Sequence, residues 1–243
     1  MILINQKVYN LIKMISLTVI VPIYNEEQFL EQSVERLIDS DIYQKILLID
    51  NNSSDMSYEI SKNLQKKYRK VSIHKTSDIA GKGVVVSFAK KLIETSHVVV
   101  HDADLEYFPS DIVEMFELAK KNPKSLILGS RFIGSKQRKN IYKRTFFANK
   151  IMSLFFSITN FYSVSDVATC YKLMPSEFFK NTNFKEKGFS IEIELLSKFL
   201  KFNRSIIEVP IKYVGRSYDE GKKIKATDGF KYLFSTVKYR FLN

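Results

Sequence analysis

Short apolar runs alternate with amphipathic stretches through the first half of the chain. Leu17 to Val21, apolar apart from Thr18 and closed by Pro22, has the pattern of a strand buried on both faces. Asn25-Glu-Glu then opens a helix with acids at its positive end, and Leu30, Val34, Leu37 and Ile38 form its apolar stripe. Ile46 to Ile49 predicts a second buried strand ending at Asp50. It is followed by a helix with Ile60 and Leu64 on one side and Lys62, Lys66 and Lys67 on the other. Val71 to Ile73, Val98 to Val100 and Leu126 to Leu128 read as further strands. Between them lie helices through Val85, Phe88, Ala89 and Leu92, and through Ile112, Met115, Phe116 and Ala119. Strand and helix alternate five times, which predicts an α/β fold with a mostly parallel central sheet and helices on both faces. Beyond it, Phe189 to Phe202 predicts a helix with Ile193, Leu196 and Leu200 inward, and Ile206 to Val209 a late strand. One domain is expected over 14–230, with a leader at 1–13 and a helical tail at 231–243.

In parallel sheets ligands bind at the carboxyl ends of the strands. Pro22 to Glu26, Asp50 to Asp55, Gly81-Lys-Gly83 and Asp102 to Glu106 all fall there, so they read as one site. Asp102 and Asp104 are separated by one residue, and side chains of an extended chain alternate faces, so both carboxylates can point the same way. Paired carboxylates repel unless a cation sits between them. Mg2+ or Mn2+, held by one or two carboxylates and by substrate phosphate oxygens, resolves the repulsion. A solvated turn after a buried strand is the plainer reading of Asp-x-Asp, an ordinary glycine turn that of Gly-Lys-Gly, and helix-dipole pairing that of Glu26. His101 falls on the opposite face from Asp102 and reads as a packed histidine, as do His74 and His97, for which no partner is evident.

Composition narrows the partners. The 243 residues are 45% hydrophobic and carry a net charge of +12, which suits phosphate-bearing ligands, nucleic acid or an anionic membrane surface without separating them. The single cysteine, Cys170, excludes an internal disulfide and suits a reducing compartment. Six basic residues crowd 131–144, and Phe146 to Tyr162 is aromatic and apolar but interrupted by Asn149, Lys150 and Asn160. That stretch falls short of a spanning helix. It reads either as a core helix or as an interfacial one. In the second case Phe147, Ile151, Leu154 and Phe155 face lipid, and Lys143, Arg144 and Lys150 meet headgroups.

Taken together, Val19-Ile-Val-Pro-Ile-Tyr-Asn-Glu-Glu27, Asp50, Gly81-Lys-Gly83 and Asp102-Ala-Asp-Leu-Glu-Tyr107 resemble family-2 glycosyltransferases. Gly129-Ser-Arg-Phe132, Thr169-Cys-Tyr-Lys172 and Glu208-Val-Pro-Ile211 with Gly215-Arg-Ser-Tyr-Asp-Glu-Gly-Lys-Lys-Ile224 narrow this to the branch of dolichyl-phosphate mannose synthase and bacterial polyprenyl-phosphate transferases. The resemblance implies the Rossmann-like GT-A fold. It also implies an inverting, metal-dependent transfer of mannose or glucose from a GDP- or UDP-hexose to polyprenyl phosphate, with a saccharide hydroxyl of a capsule or cell-wall glycan as the alternative acceptor. Pro22, Tyr24, Glu26 and Asp50 would hold base and ribose, and Lys82 would add a cation. Asp102 and Asp104, with Glu106 as third ligand, would hold Mg2+ or Mn2+. Arg131 and Arg144 would grip the acceptor phosphate, Arg216, Lys222 and Lys223 would close over the donor diphosphate, and Asp166 stands at the position of a catalytic acid. The expected setting is cytoplasmic and peripheral on the inner membrane face, with a membrane surface and a separate membrane-protein partner and without nucleic acid. Asn51-Asn52 departs from the Asp-Gly commoner in the family and leaves the base open.

Overall fold

The computed structural model describes residues 15–76, 81–139, 142–216 and 226–242. The expected leader at 1–13 and the site residues Lys222 and Lys223 lie outside them. The strands are β1 (Leu17–Ile23), β2 (Lys45–Asp50), β3 (Val71–Lys75), β4 (His97–Val100), β5 (Leu126–Ser130), β6 (Arg138–Lys139), β7 (Lys172–Pro175), β8 (Ile206–Pro210) and β9 (Tyr213–Val214). The α-helices are α1 (Leu30–Ile38), α2 (Ser57–Lys67), α3 (Lys82–Ala89), α4 (Pro109–Lys121), α5 (Lys143–Asn160), α6 (Ser176–Asn181), α7 (Ile191–Phe202) and α8 (Ala226–Phe241).

Seven strands form one sheet in the order β3-β2-β1-β4-β7-β5-β8. β1 pairs in parallel with both β2 and β4, and β5 with β8, while β7 runs antiparallel between β4 and β5. Every residue from Leu17 to Val21 is fully buried, Thr18 included, so both faces of β1 are covered, as its largely apolar run predicts. Each of the four aliphatic side chains contributes about 1.5–3 kcal/mol by leaving water. On α1, Leu30, Val34 and Leu37 are wholly buried and recur at the helical period. α4 starts on Pro109, where a missing N–H costs no hydrogen bond.

The sequence did not predict β7. Four residues closed by a proline carry little periodicity, and the strand is fixed by pairing with two distant partners. Within the expected tail at 231–243, residues 231–241 form the greater part of α8, which packs on α5 and α7 and buries Tyr232 and Tyr239. The boundary expected at 230 therefore falls inside a helix.

His101 is packed, as expected. It lies between the Ser33 hydroxyl at 3.0 Å and the Tyr171 hydroxyl at 2.8 Å, and burial lowers its pKa to about 4. His97 does have partners, the Ser96 hydroxyl at 3.0 Å and the Pro123 carbonyl at 3.1 Å. Both were invisible in sequence because one is a neighbour's side chain and the other a backbone oxygen 26 residues away.

Candidate active site

The carboxyl ends of β1, β2, β4 and β5 open into a cavity of about 360 Å³. β1 leads to Pro22, Tyr24 and Glu26 on its wall, and β4 leads to Asp102 and Asp104. Lys82 comes from the start of α3, Arg131 from the end of β5, and Arg216 follows β9. Tight turns aim these groups. Asn25, Asn52 and Leu105 all have left-handed backbone, with φ of 50°, 59° and 62°. Asparagine tolerates that region, whereas leucine there costs about 1–2 kcal/mol. Leu105 stands between Asp104 and Glu106, so the strain is stored in the turn that sets the acids.

Charge in the cavity is organised as two groups. In the first, the Lys82 ammonium bridges Asp102 at 2.8 Å and Glu192 at 2.9 Å, and buried Lys172 holds the other Glu192 oxygen at 2.6 Å. Burial opposes the charge on Asp102, but the lysine beside it outweighs that and keeps its carboxyl below the usual range. Lys82 stays well above its usual value despite its burial, chiefly through Asp102.

The second group is acidic and less fully matched. Asp104, whose side chain is 15% exposed, receives the Glu106 N–H at 3.1 Å and an Arg216 N–H at 3.4 Å. Burial, then Glu106 and Asp102, push its carboxyl up to about 8. Arg216 also reaches Glu26 at 3.1 Å and so lies across the mouth of the acidic group.

These donors fit a hard divalent cation that completes its shell with phosphate oxygens, because they are carboxylate oxygens around an under-compensated negative site. They do not fit a three-carboxylate cage, and no such group exists among the described residues. Glu106 is corrected on this point. One of its oxygens accepts the Tyr213 hydroxyl at 2.6 Å and the other the Arg216 backbone N–H at 2.7 Å, so it anchors the 213–216 segment.

Residues 18–182 match the model of glycosyl transferase family 2. The chain belongs to that family. It is 28% identical over 222 residues to a dolichol-phosphate mannosyltransferase of Pyrococcus furiosus, covering 89% of this chain and 61% of that protein. It is also 24% identical over 232 residues to a UDP-N-acetylglucosamine–dolichyl-phosphate N-acetylglucosaminyltransferase of Methanococcus voltae, covering 88% and 92%. The chain thus spans less than two thirds of the first relative and nearly all of the second. Among solved structures it superposes on glucosyl-3-phosphoglycerate synthase from Mycobacterium tuberculosis with UDP, with a TM-score of 0.75 at 12% identity over 98% of this chain and 84% of that one. The same enzyme with Mn2+, UDP and phosphoglyceric acid gives a TM-score of 0.74, also at 12% identity, over 98% and 83%. This likeness shows the GT-A fold.

Within this family-2 domain several expected site residues stand elsewhere. Asp50 is wholly buried off the cavity wall, and its carboxylate receives the Ser53 N–H at 3.3 Å. The wall position belongs to Asn51, which ties the Thr76 hydroxyl at 2.6 Å to the Gly81 N–H at 2.6 Å. Arg144 is exposed near the start of α5 and does not line the cavity. Asp166 is also fully buried, away from the wall. It binds the Arg131 side chain with both oxygens at 2.7 and 2.8 Å and the Arg131 N–H at 3.0 Å. It holds the Arg131 side chain in place, and the group presented to the cavity is Arg131, whose guanidinium lies 5.1 Å from the Tyr213 ring.

The glycines at 81 and 83 make room for the chain's own backbone. A Cβ on Gly81 would lie 2.1 Å from the Lys187 carbonyl oxygen, and one on Gly83 would lie 2.0 Å from that of Glu186. The 186–188 backbone is thereby pressed onto the turn that carries Lys82. Gly83→Ala is expected to cost about 2–3 kcal/mol by overpacking, seen as a lower midpoint in urea unfolding. An unchanged midpoint would mean that the contact is loose. Cys170, Tyr107, Phe189 and Tyr232 also line the cavity, and no local sequence pattern distinguished them from core.

Proposed function

We propose that the chain transfers a hexosyl group, mannose or glucose, from a GDP- or UDP-hexose to a polyprenyl phosphate. The observation that carries this reading is the burial of Asp166 against Arg131. A sugar hydroxyl acceptor needs a base to take its proton, and the acid expected in that role is wholly committed to a guanidinium. A phosphate monoester is largely ionised at neutral pH and needs no such base. The two dolichyl-phosphate relatives support the same acceptor class.

In this scheme an acceptor phosphate oxygen attacks the anomeric carbon. The bond from that carbon to the donor diphosphate breaks, the nucleoside diphosphate leaves with the electron pair, and the single displacement inverts the centre. Arg131 holds the acceptor phosphate, which a guanidinium matches through two parallel hydrogen bonds. Tyr24, Glu26 and Asn51 border the nucleoside. Asp104, with Asp102 beside it, would hold Mg2+ or Mn2+, which when bound supplies Lewis-acid neutralisation of the diphosphate. Arg216 shifts from Glu26 and Asp104 to the diphosphate once donor arrives.

The deciding experiment incubates the protein with radiolabelled GDP-mannose, UDP-glucose or UDP-N-acetylglucosamine, Mn2+ or Mg2+, and a short polyprenyl phosphate. Label is expected in the organic phase with one hexose donor. Label recovered only in a saccharide acceptor would establish the hydroxyl reading instead.

Arg216→Gln tests the resident arginine. Without its guanidinium the acids lose their counter-charge, so Mn2+ is expected to bind about tenfold more tightly in the absence of nucleotide, a change of about 1.4 kcal/mol. Nucleoside diphosphate is expected to bind the Mn2+-loaded variant more weakly by a similar factor. Electron paramagnetic resonance of free Mn2+ and titration calorimetry read the two effects, and Mn2+ affinity equal to wild type would remove this role.

A further inference from the structure

Two helices turn apolar stripes away from the core. On α5, Phe147, Ile151, Leu154 and Ile158 are each 62–64% exposed and recur at the helical period, while Met152 and Phe156 on the other side are buried. On α8, Phe230, Phe234, Val237 and Phe241 repeat the same spacing and are all exposed, whereas Tyr232, Ser235, Thr236 and Tyr239 face inward. The helices pack side by side. Their stripes meet at Arg240, whose guanidinium lies 5.8 Å from the exposed Phe161 ring and 5.9 Å from that of Phe241. No helix among the described residues is long and apolar enough to cross a membrane.

Charge identifies the occupant. α5 contains Lys143, Arg144 and Lys150 and no acid, and α8 contains Lys231, Lys238 and Arg240 against the single Asp228. A second copy would bring like charge onto like charge across this face, whereas an anionic headgroup layer would neutralise it.

We propose that the outer faces of α5 and α8 together form a platform that seats the chain on an anionic lipid bilayer, the apolar stripes entering the acyl boundary and the basic side chains meeting headgroups. The platform deepens the polyprenyl phosphate reading by placing the cavity at the surface where such a lipid resides.

The test is flotation with phosphatidylcholine vesicles containing about one third phosphatidylglycerol, compared with phosphatidylcholine alone. The full chain is expected to float with the anionic vesicles and at least about tenfold more weakly with the neutral ones. The pairs Ile151→Glu with Leu154→Glu, and Phe234→Glu with Phe241→Glu, are each expected to lower partitioning at least about tenfold. Their unfolding temperatures and Mn2+-dependent nucleotide binding are expected to stay at wild-type values, since these positions touch neither core nor cavity. Vesicle binding unaltered in both pairs would overturn the platform. So would a dimer in sedimentation velocity that both pairs dissociate, which would assign the face to a second copy. Because vesicle binding is read without turnover, failure of the acceptor assay leaves this outcome separate.

Discussion

Asp104→Asn is expected to lower turnover at least about 1000-fold, equivalent to about 4 kcal/mol of transition-state stabilisation, while making the ligand-free protein more stable. The two effects share one cause. Asp104 sits in a buried turn beside Asp102 and Glu106, and its carboxyl is pushed up to about 8, against about 3.9 in an unfolded chain. The folded protein therefore holds a proton there that the unfolded chain releases, so stability falls as pH rises between about 4 and about 8. Asparagine removes that fall. At neutral pH the gain is expected to be about 1–3 kcal/mol, or about 5 °C in a domain of this size, and the pH dependence of the unfolding midpoint should flatten across the same interval. The same substitution removes the carboxylate best placed to draw in a divalent cation. Calorimetric scans from pH 5 to 8 on the metal-free protein, paired with the lipid transfer assay, check both halves. A destabilised variant, or one with near wild-type turnover, would contradict the assignment.

For Asp166 the expected pattern is the reverse. Asp166→Ala leaves Arg131 charged, buried and without its partner, and should cost about 3–5 kcal/mol, lowering the unfolding temperature by about 10 °C. Asp166→Asn keeps the shape and one acceptor oxygen, so most of the stability should remain. If Asp166 only orients Arg131, the asparagine variant should lose about 10- to 100-fold in turnover, far less than loss of an essential base, and its pH–rate profile should keep the wild-type shape. Loss of nearly all turnover in a well-folded Asp166→Asn protein would restore it as a base and favour a hydroxyl acceptor.

The sheet was legible because its central strands are buried on both faces, and continuous apolar runs such as Ile46 to Ile49 need no partner to be recognised. The convergence of Glu26, Lys82, Asp102 and Asp104 followed from strand direction alone. What escaped was set by contacts distant in sequence. Nothing local to Lys172 names its partner: it lies in β7 with its ammonium on Glu192, and only the antiparallel pairing of β7 puts it there. Glu192 stands in the first turn of α7, and nothing local marks it as the shared partner of Lys82 and Lys172. Asp50 and Asn51 are neighbours, and no local pattern says which one the end of β2 turns toward the cavity. Nor does a Gly-Lys-Gly turn say that the room its glycines leave is filled by the chain's own backbone about a hundred residues later.

That filled space has a consequence for the end of the chain. The carboxylate of Glu186 accepts Lys238 at 2.9 Å and the Tyr239 hydroxyl at 2.7 Å, both from α8, while its carbonyl presses on Gly83 beside Lys82. The helix α8 is thus bolted, through one residue, to the turn of the lysine that bridges Asp102 and Glu192. Cutting the chain before α8 would not trim an appendage. It would loosen the strap that keeps the Lys82 turn shut, and the loss would be felt first at the cavity wall that Lys82 lines.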